Sequence, residues 1–580
     1  MALDFESEYG DELSVRLQGP VQYALAANIF LVGIYAPASG VEYVGPPADA
    51  PWEQIAGAHW LSHNAGFDQA VWQACVARKI IPSFPGPSEW DCTADLSAYA
   101  GVGRKLNEAV KNSFGEDLSK SIRNRAGNRH WPEDFNPGMQ EDFHRYCLMD
   151  AKWCYRLWEK WSSQWPEKEI RFSRILRARG LEGVTLDLEA LSGCRKKLMK
   201  EVVDGAAKIP WEEPKLSHAK LLYWCGEQGI PAPKSTAIDN GDADAWEKQY
   251  GDAHPILATL RNYRKANRRL NLVQAFERRL MANGRMNYSL KYHGAGNTGR
   301  LSGSDGLNMQ NLNRESENGI DLRGCLAAAP GKIFQIADFA QIEPRIVAAI
   351  CQDARLLELL RKGYNFYEVD ARLAGVWDGE PGTFKADRKR YQLQKAQTLG
   401  IGYGMGPKRF IEAAHTLLGL DFSLEEATRI ISGWHRRYPG VKRVWHKLES
   451  AMRRALILKE CFKMRLPSGR ALTYYDLRTE PGDKISASTT MNGAHRQFYW
   501  GGVLFENLIQ AIARDVLVEA ILALEGLGIP VLWSAHDEVV CEVDSEVSAQ
   551  KILSVMRTPP PWMPDLPLEA ECLTAVRYLK

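Results

Sequence analysis

The chain is 580 residues long, too long for one hydrophobic core, so three or more domains with a large buried interior are expected. Charged residues make up 25% and aromatic residues 10%, with 18 Trp, a composition that excludes a disordered chain. The formal net charge of +2 excludes any case for nucleic-acid binding from bulk charge, so basic residues would have to be gathered on one face. The 11 Cys are odd in number and contain no CxxC pair, which reads as free thiols in a reducing compartment rather than a disulfide framework or a zinc site. No apolar stretch reaches membrane-spanning length, and the acidic start MALDFESEYG has neither a basic segment nor a hydrophobic signal core. A soluble, cytoplasmic protein with no membrane contact is expected.

Residues 1–165 mix short β-like runs (IFLVGIYAP, GVEYVG) with helical segments, the pattern of a compact α/β domain. Asp4 and Glu6 in LDFES alternate by two, so on a strand they share a face, and such a pair can hold a metal. Asp68 closes the strand-like segment in HNAGFDQAVW, and Tyr146 and Asp150 in RYCLMDAKWCYRLW lie four apart, one above the other on a helix. Taken singly, each of these acids is an ordinary solvated group. From about residue 170 to 290 the chain reads as helical. There HPILATLRNYRKANRRLNLVQAFERRLMANG carries an apolar stripe with Arg261, Arg264, Lys265, Arg268 and Arg269 beside it. Those residues form either a solvated helix face or, the slightly preferred reading, a phosphate-tracking arm.

A Gly-rich connector, YHGAGNTGRLSGSDGLNMQN, leads to a strand (KIFQIADFA) and a helical block from about 345 to 455. A hairpin at FKMRLPSGRALTYY, a helix at FENLIQAIARDVLVEAILAL and a strand region, VLWSAHDEVVCEV, complete the chain; no internal repeats are present. Asp338 ends the first of these strands and could be a plain helix N-cap. Lys395, Leu399 and Tyr403 recur every four residues and so share one helix face; an apolar stripe explains Leu399 and Tyr403 but not Lys395. Asp537 and Glu538 stand side by side after His536 in a run that otherwise reads as buried sheet. That is either the acidic tip of a turn or a pair that a cation must neutralise.

In their order, Asp4, Glu6, Asp68, Tyr146 and Asp150 resemble the DEDD superfamily of 3′→5′ exonucleases, in the subtype with tyrosine in its last motif. The resemblance implies a ribonuclease H-like exonuclease domain over 1–165, in which the four acids hold two Mg2+ ions and Tyr146 orients the attacking water. Asn64 and Phe67 fall where the second motif of that superfamily has an Asn and an aromatic.

The segment QIADFAQIEPRIVAAI resembles the first palm motif of the family A DNA polymerases, D-[YF]-S-Q-I-E-x-R, of which bacterial DNA polymerase I is the familiar member. The implied fold is multidomain α/β and α+β: the exonuclease domain followed by a right hand. Its thumb and the start of the palm would span 166–290, the palm with the first motif 291–350, the fingers 351–455, and the palm with the third motif 456–580. Asp338 would bind metal, and Glu343 would pack beneath the incoming sugar and exclude a 2′-hydroxyl. Lys395 would meet the triphosphate, and Tyr403 would lie by the templating base.

HDEVV resembles the third motif, which implies that Asp537 would join Asp338 in holding two Mg2+ ions, with Mn2+ able to substitute, that Glu538 would be auxiliary, and that His536 would support the primer terminus. The cation that makes the paired carboxylates tolerable would be the catalytic metal. Arg300, Gln310, Asn311 and Gln510 match residues that touch the minor groove, where donors test pair geometry without reading sequence.

The chain departs from the family pattern at several points. Ala340 and Pro344 replace the usual Ser and Leu. Tyr391 stands where an arginine precedes the lysine by four, leaving that phosphate contact to Arg390 or Arg388. Tyr367 stands where bacterial members have a phosphate-binding histidine, and Glu506 where they have an asparagine. Leu399 replaces an aromatic beside the sugar, which implies discrimination against dideoxynucleotides.

The expectation is a proofreading, DNA-directed DNA polymerase whose partners are primer-template DNA, dNTPs and a single-stranded 3′ end. No 5′-nuclease domain is expected, because the first exonuclease motif begins at Asp4. The compact build, with LPSGR and ENLIQAIARD, resembles a bacteriophage replicative polymerase acting in the host cytoplasm. Two rivals remain. One is a single-subunit RNA polymerase, opposed by Glu343 and the exonuclease motifs; the other is a non-catalytic or exonuclease-only DNA-binding protein, opposed by Asp338, Lys395 and Asp537.

Overall fold

The computed structural model describes every residue except 119–120, 234–240, 313–317, 492–495 and 580. On helices, the side chains at 121, 241–245, 399 and 416–418 are also outside the description, so the sugar contact expected of Leu399 falls beyond the described residues. Among the described residues no helix is long and apolar enough to cross a membrane. All 11 cysteines are free thiols.

The N-terminal unit is built on β1 (Ala2–Ser7), β2 (Ile29–Ala36), β3 (Val41–Gly45), β4 (His59–Ser62) and β5 (Glu89–Cys92). These form one sheet in the order β3-β2-β1-β4-β5, with β1 antiparallel to β2 and parallel to β4. The run IFLVGIYA of β2 is apolar on both faces because helices cover the sheet. Helix α1 (Ala65–Ala77) carries Asp68 in its first turn, and α2 (Pro137–Trp161) lies across β1 and β2. Pro137 opens α2 at a position where a missing N–H costs nothing, and the Asn136 side chain accepts from the Met139 N–H. Gly33 sets how close α2 comes, since a Cβ there would meet the Cys147 carbonyl oxygen at 2.6 Å. That close approach brings Tyr146 and Asp150 down onto the strand bearing Asp4 and Glu6.

Helix α3 (Glu167–Glu182) ties this unit to the rest of the molecule through Glu169, which accepts from Arg514 at 2.6 and 2.7 Å with both side chains buried. Burial alone would push the Glu169 carboxyl up, but the charge and hydrogen bonds of Arg514, with Arg470, hold it down from 4.5 to about 2. Its folded value lies below its unfolded one, so its stabilisation is complete above about pH 5 and lost as pH falls toward 2. Glu169→Gln is expected to cost about 3 kcal/mol at neutral pH, the scale of leaving a buried charge without its partner. Urea unfolding of variant and wild type should show that gap narrowing as pH is lowered below 4.

Helices α4 (Leu188–Lys208) and α5 (Ile256–Arg278) pack along each other and bury Leu198, Val273 and Phe276 between them. A hairpin of β6 (Leu290–Ala295) and β7 (Arg300–Gly303) follows. The central sheet combines β8 (Lys332–Phe339), β9 (Val531–Ala535), β10 (Glu538–Asp544) and β11 (Ala570–Ala575) in the antiparallel order β9-β10-β8-β11. Its middle strands come from segments two hundred residues apart in the chain, and their register sets Asp338 opposite Glu538.

After β8 the chain turns through Gln341, in left-handed conformation, into α6 (Ile342–Cys351). A helical region follows that includes α7 (Arg388–Ile401) and closes with Pro439–Leu458. Four strands between Phe462 and Tyr499 form an antiparallel meander whose first turn is the expected hairpin. Helix α8 (Gly501–Gly526) is buried along most of its length; Phe505, Ile509, Ile512 and Val516 join Ile346 of α6 in the largest apolar core.

One local expectation is corrected: Lys395, Leu399 and Tyr403 do not share a single helix. Helix α7 stops at Ile401, and Tyr403 sits in the turn beyond it. Gly404 ends that turn at φ +93°, a conformation only glycine adopts readily, and the Trp500 ring lies where its Cβ would be.

Candidate active sites

Two acid-lined clefts stand out. The first, of about 540 Å³, opens in the N-terminal unit and is lined by Asp4, Glu6, Asn64, Phe67, Tyr146 and Asp150. Asp68 lies just beneath it, 1% exposed; its Oδ1 accepts the Phe5 N–H at 3.2 Å, while its buried Oδ2 has no hydrogen-bond partner. Strand alternation thus puts Asp4 and Glu6 on the cleft face as expected, and α2 brings Tyr146 and Asp150 over them.

Burial dominates the electrostatics, and the neighbouring carboxylates add to it at Asp4 and Glu6. Burial and the neighbouring Glu6, Asp150 and Asp68 push the Asp4 carboxyl well above the usual range. Burial pushes Glu6 up to about 8 and Asp68 up to about 7. Burial and Asp150 push the Tyr146 phenol far up, and its hydroxyl is hydrogen-bonded to Asp150. The cation facing these acids is Arg123, which sequence reading missed because it lies in a segment, SIRNRAG, with no periodic signal.

Among the described residues the one trio of metal-type ligands with donor atoms within 4.8 Å of each other is His59, Glu89 and Asp91, at the edge of the same sheet. Arg174 already occupies it, bonding Asp91 at 2.7 Å and Glu89 at 2.9 Å, so it is an ion-pair network.

The second cleft, of about 720 Å³, is lined by Arg300, Asp338, Glu343, Lys395, His536 and Asp537, among others. His536 adopts φ +58° in the tight turn between β9 and β10, which leaves Asp537 at the tip. The Phe339 N–H donates to the Asp537 carbonyl at 3.1 Å, stitching the end of β8 to that tip and setting the two aspartates at one end of the middle strands. Glu343 is clamped: Arg300 donates to its Oε1 at 2.5 Å and the Tyr403 hydroxyl to its Oε2 at 2.7 Å. Burial and Glu343 push the Tyr403 phenol well above its ordinary value.

Several sequence expectations shift here. Glu538 is not in the cleft: it is 4% exposed and its Oε1 accepts from the buried Tyr578 hydroxyl at 2.7 Å, so the second acid of HDEVV is a core residue. Arg390 does not line the cleft either. It pairs with Asp387 at 3.4 Å, and its Nη1 donates to the Val376 carbonyl at 3.4 Å, because Asp387 caps α7 and draws it in. Tyr391 and Tyr367 line the cleft and pack edge to face, ring centres 5.3 Å apart.

Gln310 and Asn311 form a short helical turn outside the cleft, and Gln510 donates to Glu506 at 3.2 Å one turn away on α8. On α5, Arg261 pairs with Glu247 at 3.1 Å, while Arg268 is exposed and Lys265 half-buried. The β6–β7 hairpin borders both clefts, with Lys291 on the first and Arg300 on the second.

Residues 219–579 match the family model described as DNA polymerase family A. The chain belongs to that family. A relative, the DNA polymerase of Bacillus phage SP02, is 23% identical over 590 aligned residues, covering 90% of this chain and 89% of that protein. The DNA polymerase I of Aquifex aeolicus is 26% identical over 419 residues, covering 71% of this chain and 67% of its own length. In fold, the chain is similar to the POL domain of Pol1 from M. smegmatis, solved in complex with DNA primer-template and dNTP. That likeness has a TM-score of 0.68 at 20% identity and spans 95% of this chain and 93% of that one. This chain is therefore a template-directed DNA polymerase of family A, and the match covers the second cleft and all its lining residues.

Proposed function

We propose that this family A polymerase extends primers by two-metal phosphoryl transfer in the second cleft and trims mispaired 3′ ends in the first. The observation that carries the reading is the pairing of two separate acid-lined clefts in one chain, bordered by a shared hairpin. In this reading the first cleft belongs to an exonuclease domain, 1–165. The hand follows as thumb and start of palm (166–290), palm (291–350), fingers (351–455) and palm again (456–580).

Both sites offer what hard divalent ions take. The first gathers buried carboxylates that repel one another, with Arg123 facing them, and Asp68 keeps one buried oxygen without a partner. Asp4, Glu6, Asp68 and Asp150 would hold ions there, and Asp338 and Asp537 would hold them in the second cleft. Bound Mg2+ supplies charge stabilisation for the attacking and leaving oxygens.

The chain's own groups do the rest. In extension, the primer 3′-hydroxyl loses its proton to water as its oxygen bonds to the α-phosphorus of the dNTP, the bond to the bridging oxygen breaks, and pyrophosphate leaves with the electron pair. The Lys395 ammonium stabilises the charge that develops on that pyrophosphate. Glu343, fixed from both sides by Arg300 and Tyr403, presents a rigid wall to the sugar. In trimming, Tyr146 orients the water above Asp4 and Glu6.

A phage-type role in genome replication is supported by the 89% coverage of the SP02 enzyme. The test is a labelled primer-template with Mg2+, with and without dNTPs: both extension and 3′ degradation are expected. Degradation without extension would reduce the hand to a binding module. A second measurement concerns the sugar. Glu343→Ala removes the clamped wall and is expected to raise ribonucleotide incorporation relative to deoxynucleotide by about a hundredfold, the scale on which a pocket rejects a substrate that merely adds one hydroxyl. Unchanged ribonucleotide selection would take Glu343 out of the nucleotide site.

A further inference from the structure

The polymerase cleft is lined by five Lys and Arg side chains among the described residues, and three are spent within the protein. Arg300 is held by Glu343, and Arg514 by Glu169. Arg345 donates to the carbonyls of Ala340 and Pro567, each at 2.8 Å. The other two, Lys395 and Lys385, have no protein partner among the described residues. They are the positive charges left for an anion in a cleft that also holds Asp338 and Asp537.

Lys385 is not placed there by chance of a loose loop. It sits in a single helical turn, Phe384–Ala386, whose Phe384 is fully buried against Trp377 at 5.1 Å and Tyr391 at 5.8 Å. The N–H groups of Gly382 and Phe384 both donate to Glu368 Oε1, at 2.7 and 3.4 Å. Tyr391 in turn packs on Tyr367, so these two aromatics form a floor without charge beneath the turn. Arg390, the nearest alternative, is drawn away by Asp387.

A nucleoside triphosphate brings about four negative charges, and Lys395 alone supplies a single compensating ammonium. We propose that Lys385 is a second triphosphate-binding cation of the nucleotide site, delivered from the Phe384–Ala386 turn rather than from α7. The inference rests on the polymerase reading of this cleft. Lys385 binds as a flexible point charge, so arginine can replace it, and it acts on the nucleotide rather than on the DNA.

The experiment is single-nucleotide incorporation by the full chain in Mg2+, comparing wild type with Lys385→Ala, Lys385→Arg and Lys395→Ala. Lys385→Ala is expected to raise KM for dNTP about tenfold with kcat changed far less, the signature of a contact made equally in ground and transition states. Lys385→Arg should stay within about threefold of wild type, and the primer-template Kd, read by fluorescence anisotropy, should not move. An unchanged dNTP KM in Lys385→Ala, with a raised one in Lys395→Ala, overturns the proposal and leaves the polymerase reading intact. A weakened primer-template Kd instead makes Lys385 a DNA contact and also overturns it. A wild type that incorporates nothing removes the underlying reading together with the proposal.

Discussion

Asp537→Ala is expected to abolish primer extension, by about three orders of magnitude or more, while leaving 3′ degradation near the wild-type rate. The turn that carries Asp537 projects it into the polymerase cleft, and its backbone carbonyl already bonds the end of β8. Removing the carboxylate therefore deletes the proposed metal ligand without disturbing the strand pairing that positions Asp338. The structure sharpens this expectation through its neighbour: Glu538, equally acidic in sequence, is buried on Tyr578 and lies outside the cleft. Glu538→Gln keeps the shape and the acceptor for that hydroxyl, so extension should fall by no more than about tenfold. Equal loss in the two variants would show that both acids hold the ions and that the turn rearranges around them. Extension is best measured in an exonuclease-silenced background, so that trimming does not mask it.

The double variant Asp4→Ala, Glu6→Ala is the mirror experiment and should remove 3′ degradation by a comparable factor while sparing extension. Both acids sit buried on one strand, where burial first and then repulsion from neighbouring carboxylates raise the cost of ionising them. Their removal relieves that repulsion, so the N-terminal unit should gain rather than lose stability in the absence of metal, which a thermal melt in chelator would read. Loss of degradation together with a rise in melting temperature would identify the cluster as built for cations at the expense of fold stability. Persistence of degradation would move the nuclease chemistry elsewhere in the chain.

The sites were legible to different degrees. Asp4 and Glu6 could be paired on one face from their spacing alone, since a strand repeats every two residues. The strand–turn–helix around Asp338 was equally clear, because the β-branched and aromatic residues of β8 (KIFQIADF) give way to a turn at Gln341, in left-handed conformation, and then to an apolar helix. Tyr403 was misjudged by less than a turn of helix, because the length of α7 is settled by Gly404 packing on a tryptophan almost a hundred residues away. Arg390 was nominated on its nearness to Lys395 in sequence, but the N-cap Asp387 redirects it. Lys385 carried no local signal. What places it is Phe384 finding a pocket between Trp377 and Tyr391.

By itself the sequence determined the local chemistry: which carboxylates are available in pairs, which helix carries a lysine among apolar residues, and that residues 1–165 alternate strands with helices. These follow from periodicity and short-range order, which act over a few residues and are written locally. Only the tertiary structure decided which acids face a cleft and which are core, that Arg123 answers the front cluster, and that Glu343 is clamped between Arg300 and Tyr403. Those outcomes depend on contacts between residues tens to hundreds of positions apart. Burial, desolvation and competition among hydrogen-bond partners choose among side chains there that look alike in sequence.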